Sequence, residues 1–224
     1  RAATGRDKIA LCGYHGWHDW YVAANRLPVD GVAASKVTAS NAPANDQLQL
    51  DKHLLPGIEP NGVPSQLAGT ALTFTYNQLD ELKRLVEHNG EEFAAIVMEP
   101  TRSVDPEPGF LEGVRQIADD IGAVLVFDEI SSGWRQCLGG AHRLYGVDPD
   151  IAVFAKAIGN GYAMGAIIGR QATMQAAQTS FISSTYWTEG IGPAAAVAAI
   201  EKMTRCDVPS HLKRLGTVVQ SGWS

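Results

Sequence analysis

The sequence predicts an α/β fold with a mostly parallel sheet, and three observations carry that prediction. Short, predominantly apolar runs of strand length recur at residues 8–12, 93–98, 123–127 and 151–154. Amphipathic helical patterns separate several of them, which suits a buried sheet with crossover connections. Glu99, Asp128 and Lys156 follow three of the runs, at the carboxyl edge where open α/β sheets collect ligands.

Taken in order, residues 1–7 read as the tail of a helix, and residues 8–12 as a short strand closed by Gly13. From about 29 to 70 the chain is loop-like, with turn signals at Pro56-Gly57 and Asn61-Gly62. Asn77 is the expected N-cap of a helix whose apolar positions are Leu79, Leu82, Leu85 and Val86. The strand at 93–98 ends at Glu99-Pro100. A helix at 110–121 follows, with Leu111, Val114, Ile117 and Ala118 on one face, and then the strand that ends at Asp128. Further strands are expected at 151–154 and 164–169. Residues 192–200 read as a buried helix that stops at Glu201-Lys202, and residues 209–223 as another helix. The ends suggest an internal fragment of a larger protein.

Composition narrows the class. The 224 residues are 45% hydrophobic and 19% charged, which are ordinary globular values. A net charge of −6, with no Lys/Arg cluster, argues against a nucleic-acid surface. Cys12, Cys137 and Cys206 are odd in number and widely spaced, which suits free thiols in a reducing compartment such as the cytoplasm. No apolar stretch approaches the roughly 18 residues of a membrane span.

Chemistry concentrates at Lys156 and Asp128. Asp128 ends a buried run, so its carboxylate needs a charged partner, and the protonated ring nitrogen of pyridoxal phosphate is one. Lys156 stands 28 positions further on, between the apolar residues 151–155 and the turn Gly159-Asn160-Gly161. Apolar surroundings lower a lysine's pKa and make its amine a nucleophile able to bind the cofactor aldehyde covalently. A lone Asp-Glu pair or a lone lysine is more often a solvated charge; the two in these settings point to the cofactor. Tyr14, next to Gly13 in Gly13-Tyr14-His15-Gly16-Trp17-His18-Asp19, suits stacking on a flat ring. The competing reading there is a metal site using His15 and His18, which the flanking glycines and the lack of a third nearby ligand disfavour. Residues 183–193 read as a hydroxyl-rich strand leading into a helix, a setting able to bind phosphate. Gly159-Asn160-Gly161 lacks the third glycine of a dinucleotide fingerprint.

These motifs, with Met98-Glu99-Pro100, Pro108-Gly109-Phe110-Leu111 and Ser184-Thr185-Tyr186-Trp187, resemble the central part of a class III aminotransferase. The likeness is to the branch containing glutamate-1-semialdehyde aminomutase. It implies a three-layer, fold-type I large domain over residues 1–205, with 206–224 leading towards a smaller C-terminal domain. It implies that Lys156 carries the cofactor and moves the substrate's proton, that Asp128 pairs with the ring nitrogen, and that Tyr14 stacks on the ring with His15 and Gly16 beside it. Thr185 would contact the phosphate across a homodimer interface, with Thr188 as its competitor. Glu99 would lie close to the cofactor. The family's upstream phosphate loop and its carboxylate-binding arginine have no counterpart in these residues. The implied activity is transfer of an amino group from an amine or amino acid to a carbonyl acceptor. The alternatives are an intramolecular aminomutase and a non-catalytic α/β binding module; the presence of both Lys156 and Asp128 speaks against the latter.

Overall fold

The structure, a computed structural model, describes residues 1–26 and 58–223. The chain divides into two compact units, one formed by Arg1–Glu99 and Asp105–Val126, the other by Pro100–Val104 and Phe127–Ser224. The six strands give the α/β class and the mostly parallel sheet that the sequence predicts.

The first unit contains β1 (Lys8–Cys12), α1 (Asp19–Val22), β2 (Ala71–Thr73), α2 (Leu79–Asn89), β3 (Phe93–Met98), α3 (Phe110–Ile121) and the start of β4 (Val124–Asp128). Its strand order is β2-β1-β3-β4. β1 runs parallel to both neighbours, with Ile9 opposite Ala71 and Cys12 opposite Met98. Ala10, Leu11, Cys12, Phe93, Ala94 and Ile96 are fully buried, as a strand covered on both faces requires. α2 buries Leu82 and Leu85, and α3 buries Phe110, Leu111, Val114 and Ala118, the faces marked by their apolar spacing. Gly122 ends α3 in a left-handed conformation (φ 65°) and its N–H returns to the Ala118 and Asp119 carbonyls. The Arg6 guanidinium donates to the Ile121 carbonyl at 2.6 Å and the Phe93 carbonyl at 3.1 Å, tying the end of α3 to the start of β3.

The second unit takes the end of β4 and adds α4 (His142–Tyr145), β5 (Ile151–Phe154), β6 (Ala166–Gly169), α5 (Gln171–Met174), α6 (Ile191–Arg205) and α7 (Val208–Trp223), in strand order β4-β5-β6. Ala152, Phe154, Ile158 and Ala196 form its core, with Trp134, Met164 and Ile200 packed against them.

Several local expectations change. Asn77 is not the cap of α2: Gln78 holds that position without a side-chain bond. Asn77 adopts φ 62°; its Oδ1 accepts the Glu107 N–H at 2.9 Å and its Nδ2 donates to the Asp105 carbonyl at 3.2 Å. The side chain therefore clamps the segment before α3 instead of capping its own helix. β6 runs antiparallel to β5, and Ile167 and Ile168 are 62% and 59% exposed, so this strand is not buried on both faces. β2 has only three residues, too few for a recognisable pattern. Residues 183–188 form no strand; they lie in an irregular stretch and a turn, where Trp187 N donates to the Ser184 carbonyl. Residues 2–5 are a turn with Gly5 at φ 68°, not a helix tail. α6 buries only Gly192, Ala196 and Met203, so it is one-faced despite its alanine content. The turn expected at Pro56-Gly57 lies outside the described residues, whereas Gly62 (φ 86°) makes the one expected at Asn61-Gly62. Among the described residues no helix is long and apolar enough to cross a membrane.

Candidate active site

In the second unit β4 and β5 end side by side, since the Glu129 N–H donates to the Val153 carbonyl at 2.8 Å. Asp128, the last residue of β4, is half-buried, less enclosed than five preceding apolar residues suggest. Its Oδ1 accepts the Ile130 N–H at 3.0 Å, which turns the chain as soon as the strand is over.

Glu129 is the fully buried acid (0% exposed). Its carboxylate accepts the Ser132 hydroxyl, the Ala141 N–H at 3.0 Å, the His142 N–H at 2.9 Å and the His142 Nδ1–H at 2.9 Å. Burial alone would raise its pKa; the donors from His142, Ser132 and Ala141 outweigh that and hold the carboxyl below its ordinary value. The ion thus closes the loop from 129 to 142, with Trp134 N donating to the Gly139 carbonyl inside it at 2.8 Å. Cys137 in the same loop donates to the Gly140 carbonyl, and burial, then the Glu129 charge, push its thiol up.

Lys156 lies two residues beyond β5 and opens the 3₁₀ turn Lys156–Ile158 with a left-handed backbone, φ 50°. Ile158 is the residue this turn sends into the core, and Lys156 is exposed rather than wrapped in apolar neighbours as the sequence suggested. Its Nζ donates to the Ser131 hydroxyl at 2.6 Å. Sequence reasoning missed Ser131, because a serine in a Ser-Ser-Gly turn carries no signal separating it from its neighbour. A cavity of about 440 Å³ in this unit is lined by Lys156, Trp134, Arg135, Asn160, Met203 and Leu212, among others.

The first unit holds the aromatic group. After β1, Gly13 turns the chain at φ 105°, and a Cβ there would run into the Glu99 carboxylate. The wholly buried Tyr21 donates its hydroxyl to the Gly13 carbonyl at 2.7 Å, and a His15 Nε2 hydrogen bond to the Cys12 carbonyl spans 3.0 Å. Tyr14 leaves 39% of its surface exposed, packs edge-on to Tyr21, and donates its N–H to Glu99 Oε2 at 3.4 Å. Tyr14, His15, Gly16 (φ 97°) and Glu99 therefore belong to this unit, while Asp128 and Lys156 belong to the other.

Thr185 and Thr188 sit on an exposed turn of the second unit. The following helix start is already satisfied: Glu189 accepts the N–H groups of Ile191 and Gly192. His15 stacks on Trp20 and His18 on Trp17, so the two imidazoles enter separate ring pairs. Among the described residues no group of three or more His, Cys, Asp or Glu side chains is arranged to hold a metal ion.

Known proteins match along nearly the whole chain. The chain is 36% identical over 212 residues to a 3-aminobutyryl-CoA aminotransferase of Cloacimonas acidaminovorans (strain Evry), covering 92% of this chain and 43% of that protein. It is 39% identical over 221 residues to a glutamate-1-semialdehyde 2,1-aminomutase of Citrifermentans bemidjiense, covering 96% of this chain and 46% of the relative. A crystal structure of an omega-transaminase from Sphaerobacter thermophilus superposes with a TM-score of 0.73 at 28% identity, over 99% of this chain and 48% of that one. The chain thus spans less than half the length of these proteins. The family model for class-III aminotransferases matches residues 49–223, and the chain belongs to the class III aminotransferase family.

Proposed function

We propose that this chain is the cofactor-binding core of a pyridoxal-phosphate-dependent aminotransferase, which moves an amino group from an amine or amino acid to a carbonyl acceptor. The observation that carries the reading is an amine and a carboxylate, Lys156 and Asp128, following adjacent strand ends in one unit of a class III chain. Within the second unit the donors suit the cofactor: Lys156 is exposed and engaged by a neutral hydroxyl, and Asp128 is half-buried.

When bound, pyridoxal phosphate supplies an aldehyde for covalent attachment and a ring that accepts the electron pair left at the substrate carbon. The chain's residues do the rest. Lys156 would provide the attaching amine and, as a free amine, would move the proton at the substrate carbon bearing nitrogen. Asp128 would keep the ring nitrogen protonated through charge attraction. Tyr14 would stack on the ring with His15 and Gly16 beside it, and Glu99 would brace the Gly13-Tyr14 turn. Thr185, with Thr188 as the alternative, would contact the phosphate. In this reading residues 1–205 form the central part of the large domain, residues 206–224 lead towards a smaller one, and the protein works as a cytoplasmic homodimer.

The test is borohydride reduction of the full-length protein with cofactor, followed by digestion and peptide masses. The cofactor mass is expected on Lys156 alone, and on no peptide of the Lys156→Ala variant; a label on any other lysine would overturn the assignment. An amine-donor and carbonyl-acceptor panel separates transfer from isomerisation, because an aminomutase converts one substrate with no acceptor added.

A further inference from the structure

We propose that Ser131 is the positioning residue for the Lys156 amine; the inference rests on the assignment of Lys156 as the reacting lysine. The Lys156 Nζ donates to Ser131 Oγ at 2.6 Å, a short contact between an exposed, flexible side chain and a half-buried hydroxyl. A lysine on four methylenes has many rotamers to lose, and one fixed partner selects among them.

Ser131 is suited to that task because its own position is fixed on both sides. Before it, Asp128 Oδ1 takes the Ile130 N–H. After it, Ser132 is tied to the buried Glu129 carboxylate, which also holds Ala141 and His142. The Ser131 carbonyl accepts the Arg135 guanidinium at 2.7 Å. The hydroxyl thus stands on a turn whose neighbouring residues are anchored to groups that do not move with Lys156.

The chemistry of the partner matters as much as its place. A carboxylate facing Nζ would stabilise the ammonium and oppose its use as a nucleophile. A hydroxyl can accept an N–H from the ammonium, or donate its O–H to the lone pair of the neutral amine. It therefore holds the nitrogen in both protonation states that proton transfer at the substrate carbon requires. Ser132 does not duplicate this, since its hydroxyl is committed to Glu129.

The test uses full-length protein carrying Ser131→Ala and Ser131→Thr, with Ser131→Cys replacing the alanine variant should that one not fold. In apo-protein, acetylation of Lys156 is measured by peptide mass against the exposed Lys202 as internal reference. Removing the hydroxyl is expected to speed Lys156 labelling about three- to tenfold, the range a single hydrogen bond supports, and threonine is expected to return it to within about twofold. In holoenzyme, kcat should fall about tenfold in Ser131→Ala with KM within about twofold, and recover with threonine. Unchanged Lys156 labelling in the alanine variant would overturn the proposal, as would threonine failing to restore it. Altered labelling with unchanged kcat would overturn the role in the reaction. Cofactor found on a lysine other than Lys156 after borohydride would instead sink the functional reading, leaving the apo-protein result to stand by itself.

Discussion

Changing Glu129 to Gln isolates the buried carboxylate that organises the second unit. In the native chain it takes four hydrogen bonds, from Ser132, Ala141, His142 N and His142 Nδ1, with no exposed surface. Glutamine keeps the shape but replaces one oxygen by an amide NH₂. Whichever way the amide turns, its NH₂ meets a backbone N–H, of Ala141 on one side or of His142 on the other, and that donor loses its acceptor, whereas the Ser132 hydroxyl and the His142 ring can turn to accept. A buried donor left without a partner costs roughly 1–3 kcal/mol. The expected destabilisation is therefore about 2 kcal/mol, a sizeable part of a typical folding free energy. Urea unfolding followed by tryptophan fluorescence reads it directly, since Trp134 lies in the closed loop. A loss below about 1 kcal/mol would refute the reasoning, because the donors would then have found acceptors elsewhere. The acid limb gives an independent check. Burial opposes ionisation of Glu129 but its donors win, so the folded pKa lies below the unfolded one. Such a group contributes fully above its unfolded value of about 4.3 and loses that contribution as pH falls towards the lowered folded value. The gap between native protein and Glu129→Gln should therefore be constant near neutrality and narrow on acidification below pH ~4.

Two further substitutions probe the site and its frame. Asp128→Ala should weaken cofactor retention and cut turnover about a thousandfold, with stability little changed since the side chain is half-buried; cofactor titration alongside kcat measures it. Gly133→Ala would set a Cβ 2.6 Å from Phe154 Cδ1 and 2.7 Å from the Glu129 carbonyl, and backbone on one side cannot yield. A loss of about 2 kcal/mol and a melting temperature lower by ~5 °C are expected, and an unchanged melting curve would show that the turn relaxes freely.

The strand ends were legible because a buried parallel strand writes itself as an apolar run: β1, β3 and β5 begin and end where residues 8–12, 93–98 and 151–154 predicted. α3 was equally clear, since its apolar face repeats at helical spacing and Gly122 stops it. What failed depends on contacts remote in sequence. Asn77 looks like a cap until the segment at 105–107 arrives beside it and claims both ends of its amide. β6 shares the apolar composition of a buried strand, yet composition does not state which way a strand runs or what covers it. In the site, Lys156 and Asp128 stood out by their settings, although the deeper of the two acids at the end of β4 is Glu129. Ser131 was invisible because its significance lies wholly in a partner 25 residues away.

Lys156 sits at φ 50°, a conformation that glycine and asparagine tolerate far better than a long side chain does. Natural drift, left to itself, would therefore tend to discard this lysine, because the simplest replacements relax the turn by roughly 1 kcal/mol. A gene copy released from its chemistry would be expected to accumulate glycine or asparagine here early and to encode a sturdier molecule. Retention of the lysine in descendants would then register continuing demand for its nitrogen, and position 156 becomes a marker separating working copies from those kept for their shape.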